Sequence, residues 1–338
     1  MRRHLKPTIV LAVLGLVLGG LYRYLFDRPD EADLANYLRS SLHGMGIMLA
    51  GWAVQLYFTS RSSAWVRRWP LVVELIIRSV VMALSVATVT VALEPILYTH
   101  GVEGHWLVSE LPFIVGISFG ISILIGAIYE LIRLVGGRVL INVILGRYRR
   151  PTREERVLLF LDVVGSTTLA EQMGELRVQD LLTRFFYDID EAIVSHGGEV
   201  HAYVGDEVIV TWPLSAKPRQ AYVDCVFAIE DRISGLADRY TKEFGLVPKF
   251  RAGIHAGPVV ISECGDSRRQ VAYFGDTVNV AARLQAHCKE AGRPLLASGE
   301  LVRLLPAGAD LVVEPLGPTE LRGRAAPVEV FSIARASG

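Results

Sequence analysis

The chain has 338 residues, of which 51% are hydrophobic, with a mean hydropathy of +0.36 and a formal net charge of zero. This length is enough for two or three domains, and the balanced charge argues against nucleic acid as a partner. The cysteines Cys225, Cys264 and Cys288 have neither CxxC nor zinc-like spacing, so we interpret them as reduced thiols of a cytosolic domain.

The hydrophobic excess lies in the N-terminal part of the chain, which contains four long apolar runs. A helix that crosses the hydrocarbon core of a bilayer needs about 20 apolar residues. The first run has no clear small-residue cleavage site and three more runs follow, so we interpret it as a span and not as a signal peptide. We predict a membrane domain over residues 1–135 with four transmembrane helices, within Thr8–Phe26, Ser41–Thr59, Leu71–Tyr98 and Leu111–Val135.

The charges of the loops predict a multi-pass protein of the cell membrane with both termini in the cytoplasm. Positive residues are retained on the cytoplasmic side of a membrane, and residues 94–110, between the third and fourth runs, contain no Lys or Arg. The flanks assigned to the cytoplasm are basic: Arg2, Arg3 and Lys6 precede the first run, Arg61, Arg67 and Arg68 precede the third, and Arg138, Arg147, Arg149 and Arg150 follow the fourth. The loop between the first and second runs is mixed, with Arg28 and Arg39 among Asp27, Asp30, Glu31 and Asp33.

A few polar side chains in the membrane half are candidates for function. Glu74 and Arg78 lie four residues apart on one helix face and could pair. Both are near the cytoplasmic start of the third run, where a structural role explains them equally well. His43, His100 and His105 show no metal-ligand spacing. The sequence does not identify the signal or ligand that this half senses.

Residues 136–155 form a predicted amphipathic helical linker. Val139, Leu140, Val143 and Ile144 follow the i, i+1, i+4, i+5 pattern of one apolar helix face. Basic neighbours would let this helix lie on an anionic leaflet or pair with a second copy. Pro151 ends it.

From Arg156 onwards the pattern changes to alternating strands and helices. The run "RVLLFLDVV" predicts a buried strand, and a hairpin is predicted around Gly205-Asp206. Long helices are predicted over about Glu175–His196 and Arg219–Phe244, and strands within "KFRAGIHAGPVVISECG" and "QVAYFGDTVNV". The order β-α-β-β-α-β predicts an α+β domain with a ferredoxin-like fold, in which the first strand lies beside the hairpin. The chain is thus predicted to be a multidomain membrane protein that joins an all-α transmembrane bundle to this domain.

This topology would bring Asp162, near the end of the first strand, close to Asp206 in the hairpin turn. Either aspartate alone would be an ordinary turn or cap residue. Two neighbouring carboxylates repel each other unless a cation lies between them. Mg²⁺ or Mn²⁺ suits such a site, because these ions bind with few protein carboxylates and use phosphate oxygens as further ligands.

Four segments together resemble the catalytic domain of class III nucleotide cyclases, the adenylate and guanylate cyclases. They are "FLDVVGST", "GGEVHAYVGDEVIV", "RAGIHAGPVV" and "FGDTVNVAARL", in this order and spacing. The resemblance covers about Arg156 to Ile333, and from it we predict a catalytic domain over residues 156–338. It does not extend to the membrane half.

The resemblance implies a role for each matching residue. Asp162 and Asp206 would bind two Mg²⁺ or Mn²⁺ ions, with the Val163 carbonyl as a further ligand. Asn279 would orient the ribose, and Arg283 would stabilise the pentacovalent phosphorus. Arg322 stands where the family often has a lysine that contacts the terminal phosphates. The turn Gly165-Ser166-Thr167 offers backbone N–H groups to the triphosphate.

The resemblance also implies a homodimer, because in this family the metal-binding residues of one chain meet the Asn/Arg pair of another. Two positions depart from the family pattern: Ala202 stands where many adenylate cyclases have a base-reading lysine, and Ala272 where they have Asp or Thr. Neither side chain can form a hydrogen bond to a base. The remaining candidates for this role are backbone groups and the side chains of His201, Tyr203 and Tyr273.

The leading hypothesis is therefore a membrane-bound phosphorus-oxygen lyase of the adenylate cyclase type, which forms cyclic AMP and pyrophosphate from ATP. The two alanines leave open a guanylate or dual-specificity cyclase, or a catalytically weak cyclase-like module of a membrane receptor. A diguanylate cyclase is disfavoured, because the Gly-Gly of "GGEVH" ends a helix ahead of the hairpin and the acidic turn reads "GDE".

Overall fold

The computed structural model describes residues 2–26, 34–59, 66, 69–97, 108, 111–135, 141–142, 145–215, 218–266, 269–306, 311–320 and 326–336. The chain divides into two compact units, Met1–Gly137 and Arg138–Gly338. Several predicted features lie outside the described residues: His100, His105, Arg322 and the apolar linker face of Val139, Leu140, Val143 and Ile144.

The described part of the first unit contains four long helices. These are α1 (Arg2–Phe26), α2 (Leu34–Thr59), α3 (Leu71–Leu97) and α4 (Leu111–Val135). Three stretches are long and apolar enough to cross a membrane: Pro7–Leu25, Leu71–Leu97 and Leu111–Ile132. Helix α2 forms where the second span was predicted but is not among them, because polar residues such as Ser41, His43 and Gln55 lower its hydropathy. Three of the four predicted spans are thus matched by helices that could span a membrane.

Arg78 joins three helices of the first unit. Its side chain, on α3, is only 4% exposed and donates a hydrogen bond to Gln55 of α2. Its guanidinium also lies over the Tyr129 ring of α4, 5.6 Å from the ring centroid. A buried arginine costs free energy unless such partners surround it. The contacts support a structural role for Arg78 in holding these helices together.

The described residues of the second unit form an eight-stranded mixed sheet. Its strands are β1 (Thr152–Val163), β2 (Glu199–Val204), β3 (Glu207–Pro213), β4 (Phe250–Cys264), β5 (Gln270–Phe274), β6 (Leu295–Ser298), β7 (Leu311–Thr319) and β8 (Val328–Arg335). The order is β2-β3-β1-β4-β6-β8-β7, and β5 pairs with β4 outside this path. Only β4 and β6 pair in parallel among these strands. The first strand therefore lies beside the hairpin β2–β3, as predicted.

The described helices of this unit are α5 (Ser166–Met173), α6 (Glu175–Ser195), α7 (Ala221–Ser234), α8 (Ala237–Phe244), α9 (Asp276–Ala291) and α10 (Gly299–Val302). The prediction of one continuous helix over 219–244 is wrong. Helix α7 ends at Gly235, whose N–H bonds to the carbonyl of Asp231, and α8 begins two residues later. Strand β1 begins at Thr152, within the range that the sequence assigned to the linker.

The side chains of β1 alternate between two cores on opposite faces of the sheet. Val157, Leu159 and Leu161 belong to the larger core, which also contains the apolar faces of α6 and α7. Leu158 and Phe160 belong to a smaller core on the other face, together with Ala281 of α9. By the same alternation Asp162 lies on the face that α9 covers.

Candidate active site

Asp162 and Asp206 lie side by side at one edge of the β1–β3 ladder. Asp162 is paired with Glu207, the first residue of β3, and the Val163 N–H donates to the carbonyl of Asp206 at 3.2 Å. Gly205 makes the tight turn possible because it adopts a positive φ of 64°, which other residues rarely tolerate. The predicted meeting of these two aspartates is thus present in the fold.

The two carboxyl groups and their neighbour Glu207 form a strongly negative cluster. Burial, the charge of Asp206 and a hydrogen bond with Asp206 raise the pKa of Asp162 to about 6, although Gln285 and Arg251 act in the opposite direction. Burial and the charges of Asp162 and Asp206 also raise the pKa of Glu207 to about 7. A cation bound between these carboxyl groups would offset their mutual repulsion and favour their ionised forms.

The donor set at this edge fits a hard divalent cation. In the described part of the chain no group of three or more His, Cys, Asp and Glu side chains is arranged to hold a metal ion. The site therefore offers two neighbouring aspartates, together with a backbone carbonyl at Val163, rather than a complete protein cage. Mg²⁺ typically binds in this way, with one or two carboxylates, and completes its coordination shell with water and substrate phosphates.

The turn at Gly165-Ser166-Thr167 opens α5 next to the carboxylates. Gly165 has a positive φ of 75° and immediately precedes the first residue of the helix. The Ser166 hydroxyl donates to Asp206, whereas Thr167 is exposed. The predicted helix start is therefore present, and Ser166 has a second role, as a direct partner of the carboxylate pair.

Asn279 and Arg283 lie one turn apart on α9 and thus on one face of the helix. Asn279 is exposed, and Arg283 is half-buried. The buried Nη1 of Arg283 has no hydrogen-bond partner among the described residues. A guanidinium nitrogen in this condition is a ready donor to an anionic group such as a phosphate. Because Arg322 lies outside the described residues, its predicted contact with the terminal phosphates stays a prediction.

Gln285, also on α9, is a site residue that the sequence did not suggest. It is 8% exposed, and its side chain lowers the pKa of the Asp162 carboxyl group, as a hydrogen-bond donor beside that group does. It lies two residues beyond Arg283 and so on the opposite side of the helix, away from the motif face. The available signal was Gly253 on β4, since a glycine in a strand often marks a close approach of another backbone.

The alanines at the two family base-reading positions have aromatic neighbours. Ala202 pairs with Ile209 on β3, and Ala272 pairs with Ser262 on β4. The adjacent side chains, His201 and Tyr273, meet edge to face with ring centroids 4.3 Å apart. The structure thus brings together two of the three side chains that remained as candidates for reading the base.

Sequence comparisons identify relatives of this chain among known proteins. Over 205 residues the chain is 40% identical to "Adenylate cyclase 2" of Rhizobium meliloti (strain 1021). The aligned region covers 60% of this chain and 56% of that protein. The chain is 31% identical over 192 residues to "Adenylate cyclase 1" of the same organism, covering 55% and 28%. It is 29% identical over 189 residues to human retinal guanylyl cyclase 1, covering 54% and 17%. The chain thus spans little more than half of the first relative and less of the others.

Among solved structures, a bacterial light-regulated adenylyl cyclase matches with a TM-score of 0.56 and 23% identity, over 68% of this chain and 67% of that one. At this identity the likeness concerns the fold alone. The family model for the adenylate and guanylate cyclase catalytic domain matches residues 150–334, which is more than half of the chain. This range contains both strands of the carboxylate pair and helix α9, and the chain therefore belongs to the adenylate and guanylate cyclase catalytic domain family.

Proposed function

We propose that this protein is a membrane-bound cyclase that converts ATP to 3′,5′-cyclic AMP and pyrophosphate. The observation that carries the proposal is the carboxylate pair Asp162–Asp206, which the β1–β3 ladder holds together in a family whose members cyclise nucleotides. Arg283, with a buried nitrogen that has no partner among the described residues, supports it further. The two most similar relatives reported above are both named as adenylate cyclases.

Asp162, Asp206 and the Val163 carbonyl would hold Mg²⁺ or Mn²⁺, two ions per site in our proposal. When bound, such ions supply positive charge that activates the ribose 3′-hydroxyl and offsets the charge of the reacting phosphate. Before that step, the protein has to keep both aspartates ionised and close together. The pairing of Asp162 with Glu207 and the hydrogen bond from Ser166 to Asp206 hold them in place.

The other site residues would bind and orient the nucleotide. The N–H groups of Gly165-Ser166-Thr167 lie at a helix start and suit the triphosphate. Asn279 would hold the ribose so that its 3′-oxygen lies in line with the α-phosphate. Arg283 would donate to the oxygens of that phosphate, where negative charge increases in the transition state. Arg322 would contact the terminal phosphates.

We propose that the active form is a homodimer with two shared sites, in which Asn279 and Arg283 of one protomer complete the carboxylate site of its partner. The exposure of Asn279 supports this arrangement, and so does the Nη1 of Arg283, which finds no hydrogen-bond partner in the described part of the chain. The membrane helices would anchor the dimer with both termini in the cytoplasm, and would regulate it by changing how the two catalytic domains meet.

We propose the same division of the chain as from the sequence: a four-span membrane domain over 1–135, a linker over 136–155 and a catalytic domain over 156–338. The strand order β2-β3-β1-β4 supports a ferredoxin-like core in the catalytic domain.

A second candidate function is the cyclisation of GTP. Ala202 and Ala272 cannot read adenine through their side chains, and a guanylyl cyclase is among the relatives. A site that lacks a buried hydrogen bond to the base discriminates weakly between bases. An activity assay of this protein therefore has to include both ATP and GTP.

The test is an assay of the full chain, purified in detergent, with Mn²⁺ or Mg²⁺ and either ATP or GTP, with the products resolved by chromatography. We expect cyclic AMP from the parent and a loss of at least about 100-fold in Asp206→Ala, because metal-bound charge contributes several kcal/mol to such reactions. Asp180→Ala, an exposed acidic residue on α6, is the matched control and should retain activity. No cyclic nucleotide from the parent under any of these conditions would refute the proposal.

A further inference from the structure

Helix α9 lies directly on the sheet at Gly253 of β4. A methyl group added to Gly253 would lie 2.1 Å from the backbone nitrogen of Gln285 and 2.6 Å from the carbonyl oxygen of Ala281. No real side chain could occupy that space, so the absence of one allows the helix backbone to contact the strand. This contact fixes the position of Gln285 relative to the sheet.

The register of the sheet places this contact next to Asp162. Gly253 is paired with Phe160 of β1, and Asp162 lies two residues further along the same face. The side chain of Gln285, 8% exposed, is buried on this face beside the Asp162 carboxylate and lowers its pKa, as a hydrogen-bond donor does. Gln285 is thus held at both ends, by its backbone against Gly253 and by its amide against Asp162.

The remaining functional residues of α9 point elsewhere. At about 100° per residue, Gln285 lies about 160° from Arg283 and about 120° from Asn279 around the helix axis. The two sides of the helix also differ in solvent exposure: the side chain of Asn279 is exposed, whereas that of Gln285 is buried. One helix therefore has one side towards its own chain's carboxylate pair and another side available to a second molecule.

We propose that Gln285 is a positioning residue for Asp162 of its own protomer, so that α9 connects this carboxylate site to the site that Asn279 and Arg283 complete in the partner. The inference rests on the proposed function for the existence of the two sites. It assigns Gln285 a role in the geometry of the metal site without contact with the nucleotide.

The chemistry of an amide suits this role. Its NH₂ group donates a hydrogen bond to one carboxylate oxygen and leaves the lone pairs of the other oxygen for a cation. Being neutral, it adds no positive charge that would repel the cation, as a lysine or arginine in this position would. Loss of such a donor to a carboxylate is expected to weaken cation binding about tenfold or more.

The first test measures Mn²⁺ binding directly, by the electron paramagnetic resonance signal of free Mn²⁺, with the full chain in detergent and a non-cyclisable ATP analogue. We expect Gln285→Met, which fills a similar volume but cannot donate, to weaken Mn²⁺ binding about tenfold, the loss expected for one such hydrogen bond. His287→Ala, on the same helix with its imidazole on Glu290, is the matched control and should bind as the parent does. Unchanged Mn²⁺ binding in Gln285→Met would overturn the proposal.

The second test uses mixed dimers with one working site. One protomer carries Arg283→Ala and keeps its carboxylates, and the other carries Asp206→Ala and keeps Asn279 and Arg283. We expect Gln285→Met in the carboxylate-bearing protomer to raise the Mn²⁺ concentration for half-maximal activity about tenfold, and the same change in the arginine-bearing protomer to leave it unaltered. Equal effects in both protomers would mean that Gln285 only stabilises the helix, and would overturn the proposal.

The Mn²⁺ titration and the mixed-dimer assay together distinguish a failure of this inference from a failure of the proposed function. If the parent makes no cyclic nucleotide, the proposed function fails and the connection between two sites fails with it. The Mn²⁺ titration still decides whether Gln285 positions Asp162, because it needs no turnover.

Discussion

The imidazole of His201 meets the ring of Tyr273 edge to face, with centroids 4.3 Å apart, and the Arg156 guanidinium lies over the same Tyr273 ring at 5.8 Å. These rings are the chain neighbours of Ala202 and Ala272, the two positions at which related cyclases read the base. Burial and the charge of Arg156 lower the pKa of His201 to about 4, so its imidazole is neutral at pH 7. A neutral, partly buried aromatic pair thus lies next in the chain to the two positions at which the family pattern has charged or polar side chains.

The double variant Ala202→Lys with Ala272→Asp should sharpen selectivity for ATP over GTP. The new side chains would restore a donor and an acceptor that match the edge of adenine and leave groups unpaired against guanine. An unpaired buried group costs about 1–3 kcal/mol, so we expect the ratio of kcat/KM values to move towards ATP by about tenfold or more. The measurement is kcat/KM for both nucleotides with Mn²⁺.

The matched control for this prediction is Ala202→Met with Ala272→Val, which adds volume at the same positions without polar groups. If the control shifts the ratio as far as the Lys/Asp variant, shape rather than hydrogen bonding sets the selectivity. In that case Ala202 and Ala272 do not lie at the base.

The contribution of His201 to stability should fall on acidification, whereas Asp162 and Glu207, whose pKa values are raised in the fold, contribute in the opposite direction. The ordinary His201 pKa of 6.5 applies in the unfolded chain, whereas burial and Arg156 hold it near 4 in the fold. Between these two pKa values His201 is protonated in the unfolded state but not in the folded state. Its contribution to the free energy of unfolding is therefore lost as the pH falls from about 6.5 to about 4. The full difference corresponds to about 3 kcal/mol of the free energy of unfolding.

This loss can be measured from urea unfolding of the full chain, followed by the reaction of buried Cys225 and Cys288 with a pyridyl disulfide. His201→Phe keeps the ring against Tyr273 but cannot titrate, so the stability of the parent relative to His201→Phe should fall over the same pH range. Identical pH profiles for the two chains would show that His201 is not the group responsible.

Mixing Asp162→Ala chains with Arg283→Ala chains should restore activity that neither variant has alone. Each mixed dimer would contain one site with two aspartates from one protomer and Asn279 and Arg283 from its partner. With random pairing half of the dimers are mixed, so we expect about one quarter of the parent activity. No recovery in verified mixed dimers would contradict the shared sites.

The carboxylate pair of the candidate site could be predicted from the sequence because its two residues lie at breaks in simple patterns. Asp162 interrupts an apolar strand, and Asp206 follows a glycine in a two-residue turn. Their meeting depends only on the pairing of β1 with β3, which the element order implies. These features are local, or require one topological rule.

The parts that could not be predicted depend on packing between distant segments. The contact of Gln285 with Asp162 requires the depth at which α9 lies on β4, and this depth depends on one missing side chain at Gly253. The break between α7 and α8 at Gly235 was missed because both helices continue one amphipathic pattern. The limited hydropathy of α2 was missed because its length alone suggested a span.

Replacing Gly253 by Ala should destabilise the second unit and weaken its metal site together. The new methyl group would meet the Gln285 nitrogen at 2.1 Å, and backbone atoms cannot move aside as a flexible side chain can. Overpacking of this kind typically costs about 1–3 kcal/mol, and we also expect weaker Mn²⁺ binding because Gln285 would be pushed from Asp162. Urea unfolding read by Cys225 and Cys288 gives the first quantity, and the Mn²⁺ titration gives the second.

Gly235→Ala is the control, because Gly235 has an ordinary φ of −65° and lies at the end of α7, away from α9. Alanine is compatible with that backbone and should leave stability unchanged or raise it by about 0.4–1 kcal/mol. If Gly253→Ala proves as stable as Gly235→Ala, then α9 can move off the sheet at little cost. If it is destabilised but binds Mn²⁺ as the parent does, the depth of α9 does not set the position of Asp162. The expected result is a loss of both stability and Mn²⁺ affinity in Gly253→Ala and of neither in Gly235→Ala.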